Sequence, residues 1–358
     1  MTHPVSATLD PVEYCFERGW TDGLPVVPCS GAYLEEFLAR TDREADEVVL
    51  AMPQLNRSIT VRLAAINAAM AGCRPDYFPV VLAAWDSLRQ EGYARKGIWQ
   101  STTGTAALLV VNGPVRDRIG LNSRGNVFGP GFRANATIGR AVRLTALNAL
   151  GLRPGELDQA TQGTPAKYTC CIAENQEASP WQALHAELGC SAADSAVTAM
   201  TVRSVLHIEG RHTSVAEQLL RDIVDTVSRT GALLHETISS CVVLSPEHAH
   251  LLAASGWDKR DIREFVFEES VRSRASLDRV GKGAVSRKTR WRVPIDHPDA
   301  VIDEGVDGDR DALRVLTSPD AVVVLVAGAP NAGVSSVVET FGPRGSRPPI
   351  ARVEEDRR

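Results

Sequence analysis

The chain has no apolar run long enough to span a bilayer and no basic-then-apolar stretch near its start. A cytoplasmic protein with no membrane partner is therefore expected. No CxxC pair occurs, which argues against a thioredoxin-like dithiol and against a structural zinc site. The seven cysteines, an odd number without framework spacing, read as reduced thiols. No sustained basic stripe accompanies the formal net charge of −5, so no nucleic-acid footprint is expected. The nearest basic run, residues 281–292, reads as a solvated loop. Neither GxGxxG nor GxxxxGK[ST] is present, and Gly328-Ala-Pro-Asn-Ala-Gly333 lacks the lysine of a phosphate loop. The cofactor is left unassigned, and no metal ligands are nominated.

What is present is ordinary globular material, 44% hydrophobic and 23% charged, with length for two domains or one large α/β unit. Apolar strand-like runs ending in polar turns (residues 106–112, 170–173, 240–245 and 321–328) alternate with helical patterns. They predict an α/β fold with a mostly parallel or mixed sheet and buried helices. Residues 1–165 read as an N-terminal α/β domain with a glycine-rich polar loop, 166–343 as a C-terminal α/β domain, and 344–358 as a mobile tail. Ser58 is read as the cap of an almost wholly apolar helix ending before Gly72. That helix has an echo: Arg62, Asn67 and Gly72 recur as Arg143, Asn148 and Gly151 in similar surroundings. An internal duplication is one reading of this echo and chance is the other.

Residues 170–189 hold the densest group of acid, base and ligand side chains. Ser179-Pro180-Trp181-Gln182 fits a capping box, which predicts a helix stopped by Gly189. On such a helix His185 and Glu187 point apart, which weakens a metal reading. Glu174 or Glu177 folded back onto His185 would make a general acid/base pair. His248, beside Glu247, is the second candidate base, with His250 facing solvent. Cys170 and Cys171 should face opposite sides of a strand, one in the core and one more accessible. Cys190 follows the helix and is expected to be the more exposed.

A second candidate is the polar loop of residues 122–135, lying between the strand that ends at Asn112 and a helix expected to start at Asn135. Free N–H groups at a helix start, with Asn122, Arg124, Arg133, Asn135 and Arg140, could cradle an anion. The turn-rich segment 18–28 could present Thr21 and Asp22 to a ligand, although a rigid turn anchored by Trp20 accounts for it more simply. Ligands in α/β sheets sit beyond the carboxyl ends of strands. Asn112, Glu174, Glu247-His248 and Gly328 would converge on one crevice if their strands share a sheet.

Several strings are long enough to act as markers. Arg18-Gly-Trp-Thr-Asp-Gly-Leu-Pro-Val-Val-Pro28, Ala134-Asn-Ala-Thr-Ile-Gly-Arg-Ala141 and Glu174-Asn-Gln-Glu-Ala-Ser-Pro-Trp181 resemble a poorly characterised bacterial family associated with UGSC-type (seleno)proteins. The likeness extends to Leu184-His185, Pro246-Glu-His-Ala249, Gly256-Trp257 and the strand ending at Gly328. It implies redox or thiol chemistry. The chain departs from it in having no UGSC-like motif, in Cys29 where the resemblance leads one to expect Thr, and in Cys190 where Phe would follow Gly189.

Together these readings lead to a cytoplasmic enzyme doing acid/base chemistry, of hydrolase or lyase type, on a small anionic metabolite. Glu174, Glu177, His185 and His248 are the catalytic candidates. Asn112, Asn122, Arg124, Arg133, Asn135 and Arg140 are the substrate-binding candidates. A small-molecule substrate is the expected partner, and self-association stays open. The alternatives are a thiol or redox protein using Cys170, Cys171 or Cys190, and a non-catalytic binding subunit.

Overall fold

A computed structural model describes residues 10–90, 98–232, 238–341 and 347–354. The apolar runs assemble into one seven-stranded mixed sheet. Strand β1 (Ala106–Asn112) is flanked by β2 (Cys171–Ala173), parallel to it, and by β3 (Ala196–Glu209), antiparallel to it. Strand β4 (Ile238–Leu244) is flanked by β5 (Val322–Val326), parallel, and by β6 (Val334–Phe341), antiparallel. β6 also pairs with β3 and joins the two triplets, giving the order β5-β4-β6-β3-β1-β2. A last strand, β7 (Ile350–Arg352), pairs with the start of β3.

The order is a repeat. In each triplet the first strand is central, the second is added parallel on the outside and the third antiparallel on the inside. The two thirds, β3 and β6, meet antiparallel, so the triplets are related by a pseudo-twofold between them. The sheet also curls. In a flat sheet β2 and β4, four strands apart, would be separated by about 19 Å. Yet Cys241 on β4 lies within electrostatic reach of Cys170 and Glu174, which bracket β2. The Asn175 N–H, just past β2, donates to the carbonyl of Val326 at the end of β5 (2.7 Å), although these are the two edge strands. The concave face of the sheet accordingly forms one apolar cluster, to which Leu108, Ile172, Met200, Val243, Leu325 and Val338 contribute from six strands.

Helices cover the convex face in two groups. α1 (Val61–Met70), α2 (Phe78–Gln90) and α3 (Arg133–Leu150) pack on β1, β2 and the first half of β3. The single turn α4 (Leu184–Glu187) follows β2. α5 (Ala216–Val227), α6 (Pro246–Ala254) and α7 (Lys259–Glu269) pack on β4, β5 and β6. The boundary read at 165/166 therefore cuts between β1 and β2, which hydrogen-bond to each other, and both ranges share one sheet.

Several local expectations shift for identifiable reasons. α1 is capped by Thr60, which accepts from the Leu63 N–H (3.3 Å), because residues 57–60 are used by a hairpin strand paired with Val48–Met52. α3 starts at Arg133 with no side-chain cap at Phe132, leaving Asn135 inside the first turn. The predicted helix from Pro180 is reduced to α4, because Ser179 Oγ instead accepts from the Trp181 N–H (3.2 Å) in a local turn. The expected mobile tail contributes β7. Ser87 holds the chain there by donating to the Pro349 carbonyl (2.8 Å), and Val353 is buried. The rest of the predicted tail, residues 344–346 and 355–358, lies outside the described residues.

The helix echo is a real contact. α1 and α3 pack together, and Asn148 Nδ2 donates to Asn67 Oδ1 (2.7 Å). α1 precedes the first triplet, however, so the echo is distinct from the strand repeat. Its arginines also differ: Arg62 pairs with Asp46 at the surface, whereas Arg143 is buried against Asp158.

Candidate functional site

The strand-end cluster comes together around Glu174, whose residue is fully buried. Its Oε2 accepts from Asn112 Nδ2 (2.6 Å) and from the Leu184 N–H (2.7 Å), and its Oε1 faces Lys259 Nζ at 3.5 Å. Lys259, the first residue of α7, also donates to the Gln182 carbonyl (2.7 Å) and lies 3.4 Å from Glu187. This is a buried ion pair with its hydrogen bonds filled, the form in which a charge in the core is tolerated. His185 is fully buried one residue beyond Leu184. It meets the Ala192 carbonyl through Nε2 (3.4 Å), and its Nδ1 has no partner among the described residues. Neither carboxylate is bonded to it.

Glu177 instead forms a two-bond pair with Arg116 (2.6 and 3.3 Å), whose guanidinium also holds the Glu174 carbonyl (2.6 Å). The Arg116 bond holds the Glu177 carboxyl below the ordinary carboxylate value. Asn122 and Asn135 knit the polar loop together. The Asn122 N–H donates to Asn135 Oδ1 (2.8 Å), and Asn135 Nδ2 donates to the carbonyls of Asn122 and Cys171 (3.0 and 3.1 Å). The Arg124 N–H donates to Asn122 Oδ1 (2.9 Å). Arg133 lies apart, on the Gly72 carbonyl (2.9 Å).

Gly328 reaches the cluster because the sheet curls: its N–H donates to the Ser123 carbonyl (2.9 Å), and its carbonyl accepts from Asn175 Nδ2 (3.2 Å). His248 does not reach it. The carboxyl end of β4 adjoins that of β5, where the Ala327 N–H donates to the Leu244 carbonyl (3.0 Å), but His248 turns towards the segments that join β3 and β6. There His248, itself buried, meets Ser335 Oγ through Nδ1 (2.7 Å) and the Gly210 carbonyl through Nε2 (3.2 Å).

A separate cleft of about 670 Å³ opens between the segment bearing Thr21, Asp22 and Gly23, the outer side of α3, and the loop of residues 154–168. The 18–28 segment is clamped there by α3. Arg140 makes a bidentate pair with Asp22 (both bonds 2.8 Å) and donates to the carbonyls of Leu24 (3.1 Å) and Pro25 (2.9 Å). Asn148 Nδ2 holds the Trp20 carbonyl (3.0 Å). Gly23 takes a left-handed φ of 94° in the turn, a region that favours glycine.

At the base of the cleft, Asp158 Oδ2 accepts from both Arg143 Nη2 and Lys167 Nζ, each at 2.5 Å, and its Oδ1 accepts from the Ala160 N–H (3.1 Å). Burial pushes the Asp158 carboxyl up, but the Lys167 bond and the Arg143 charge outweigh it and hold it below the ordinary value. Lys167 is pulled below the usual lysine value by burial, with Arg143 adding to the shift and Asp158 opposing it. Arg143 lines the cleft with its side chain 8% exposed, and its Nη1 has no partner among the described residues. Leu147, Pro154, Pro165 and Tyr168 supply apolar walls.

Of the sequence candidates, Arg140 serves this cleft by fixing Asp22. Asp158 and Lys167 escaped sequence reading because they stand in a Pro- and Gly-rich loop without periodicity, and Arg143 drew notice only through the helix echo. Among the described residues, no group of three or more His, Cys, Asp or Glu side chains is placed to hold a metal ion. No described helix is long and apolar enough to cross a membrane. No family model, curated protein or solved structure matches the chain.

Proposed function

We propose that the protein is an enzyme of small-molecule metabolism that carries out acid/base chemistry, of lyase or hydrolase type, on an anionic metabolite bound in the 670 Å³ cleft. The observation that carries this reading is the Arg143 guanidinium, buried at the cleft with Nη1 unpartnered among the described residues. A buried cationic donor without an acceptor is costly, and a ligand carboxylate would supply the charge-assisted bond it lacks. Lys167 is the acid/base group. Its pKa is lowered, which eases release of its proton to solvent, and the amine so formed can take a proton from the carbon beside the ligand carboxylate. Asp158 then stabilises the resulting ammonium, and Arg143 the charge delocalised onto the carboxylate.

Glu174 and His185 act here as supports rather than proton carriers, since both are fully buried and both Glu174 oxygens are occupied by partners. Burial also weighs against thiol chemistry at β2. It pushes the Cys170 thiol up to about 12 and raises that of Cys171 as well, which suppresses thiolate at neutral pH. Of the thiol candidates, only the part-exposed Cys190 stays open to that alternative.

The test screens mono- and dicarboxylates, including malate and mandelate, by thermal shift and calorimetry. Arg143→Met should abolish carboxylate binding. Lys167→Met should keep it while lowering turnover of the hit by about 10²-fold or more. Undiminished carboxylate binding by Arg143→Met would sink the reading, and binding without turnover in the unaltered protein would leave a non-catalytic receptor.

A further inference from the structure

The turn that aims Lys167 into the cleft also sets an aromatic wall beside it. Thr164 Oγ1 accepts from the Ala166 N–H (3.4 Å) and the Tyr168 N–H donates to the Pro165 carbonyl (3.0 Å), which closes residues 164–168 into a short helical turn. From that turn Lys167 Nζ reaches Asp158 (2.5 Å) at the base of the cleft. Tyr168, next in sequence, lines the same cleft with Leu147, Pro154 and Pro165. Tyr168 is 51% exposed, and no ring of the described residues packs on it. A half-exposed tyrosine is ordinary on a convex surface. On a concave lining it is an open face for a ligand.

The space within these walls is free. A Cβ at Gly23 or Gly155, both on the lining, would meet no atom within 4 Å. At about 670 Å³ the cleft falls among sites that enclose ligands larger than a four-carbon acid, about 300–1,000 Å³. Asp22 and Asp158 also belong to the lining, and both are already bonded, Asp22 by Arg140 and Asp158 by Arg143 and Lys167. A second carboxylate on the ligand would stand near these like charges, whereas a ring would meet Tyr168 and the prolines.

The chemistry points the same way. A lysine amine is a weak base for a C–H beside a carboxylate. An aromatic ring on that carbon spreads the electron pair left behind when the proton moves to Lys167, and so lowers the barrier. Because Lys167 and Tyr168 are consecutive and both line the cleft, a ring resting on Tyr168 stands close to the carbon that Lys167 faces. We infer that the cleft takes a carboxylate bearing an aromatic ring on the adjacent carbon, an arylacetate-type acid, and that Tyr168 is the residue that selects the ring. This rests on the reading that Arg143 binds the ligand carboxylate, and adds to it what the rest of the ligand must be.

Calorimetry on the full chain at pH 7, with phenylacetate, succinate and acetate as probes, tests it. Phenylacetate should bind at least about tenfold more tightly than either of the others, the combined value of burying and stacking one ring. Tyr168→Ala should erase most of that preference and Tyr168→Phe should keep it; a preference that survives Tyr168→Ala would overturn the role given to the ring. The two readings fail separately. Succinate bound as tightly as phenylacetate, and lost in Arg143→Met, would sink the aromatic assignment and leave the carboxylate site standing. Phenylacetate binding that Arg143→Met leaves undiminished, or no binding of any probe, would remove the carboxylate site and this inference with it.

Discussion

At the scale of single residues, the most exacting demand in the molecule is the Glu174–Lys259 pair. Both residues are nearly or wholly inaccessible, and between them they engage β1, the turn before α4, and α7. Removing one partner leaves the other charge buried without compensation, so Lys259→Met should cost about 3–5 kcal/mol in urea unfolding. Adding Glu174→Gln to that variant should recover most of the loss, because no uncompensated charge then remains. A double variant no more stable than Lys259→Met would mean that the lysine acts through packing alone. His248 gives a pH-dependent counterpart. Burial holds its pKa below the ordinary 6.5, against the pull of the Gly210 carbonyl and of Glu247 and Asp222. The fold therefore prefers neutral imidazole. Its contribution is complete above about pH 6.5 and is lost as pH falls below that value towards the lower folded-state pKa. Denaturation midpoints taken stepwise from pH 7.5 to 5 should fall below 6.5, and His248→Gln should flatten that part of the profile. An unchanged slope in the variant would assign the acid sensitivity to other groups.

At the scale of elements, what sequence reading captured follows from which forces are local. The runs 106–112, 240–245 and 321–328 became β1, β4 and β5 because residues buried on both faces read as continuous apolar runs. α5 was legible because Val215, Leu219, Ile223 and Val227 recur at helical spacing in the sequence, and the last three are buried. β6 was not. Its Val-Ser-Ser-Val-Val-Glu-Thr-Phe sequence buries Ser335, Ser336, Glu339 and Thr340, and their partners come from distant strands and α6. A capping signal at Ser179 failed for a related reason: its hydroxyl is used in a local turn, and Glu174, ten positions before Leu184, takes the Leu184 N–H where helix begins. The sites divide the same way. Asn112, Glu174 and Gly328 were legible as strand ends and did gather, with Asn122 of the polar loop beside them and His248 apart, but the cleft bearing Arg143, Asp158 and Lys167 joins a helix to two irregular segments. Irregular segments carry no period from which such a meeting could be read.

At the scale of the whole molecule, length allowed two domains or one large α/β unit, and the repeat of two three-stranded triplets makes the division into two tempting. The packing opposes it. The concave cluster draws on all six strands of the path, so neither triplet can close its apolar face alone. The junction is the longest strand, β3, which pairs with β1 over its first half and with β6 over its second. A fragment ending at residue 165 would keep β1 but lose both of its neighbours, β2 and β3. Apolar strand edges left bare in this way drive aggregation rather than folding. The full chain should therefore unfold as one cooperative unit despite its length, with coincident far-ultraviolet and tryptophan-fluorescence transitions in urea. Trp85 and Trp99 report the first triplet, and Trp257 the second. The 1–165 fragment should show no protected amides in β1 by hydrogen exchange. Two resolved transitions, or native-like protection of that strand in the fragment, would instead make the triplets independent domains that meet after each has folded.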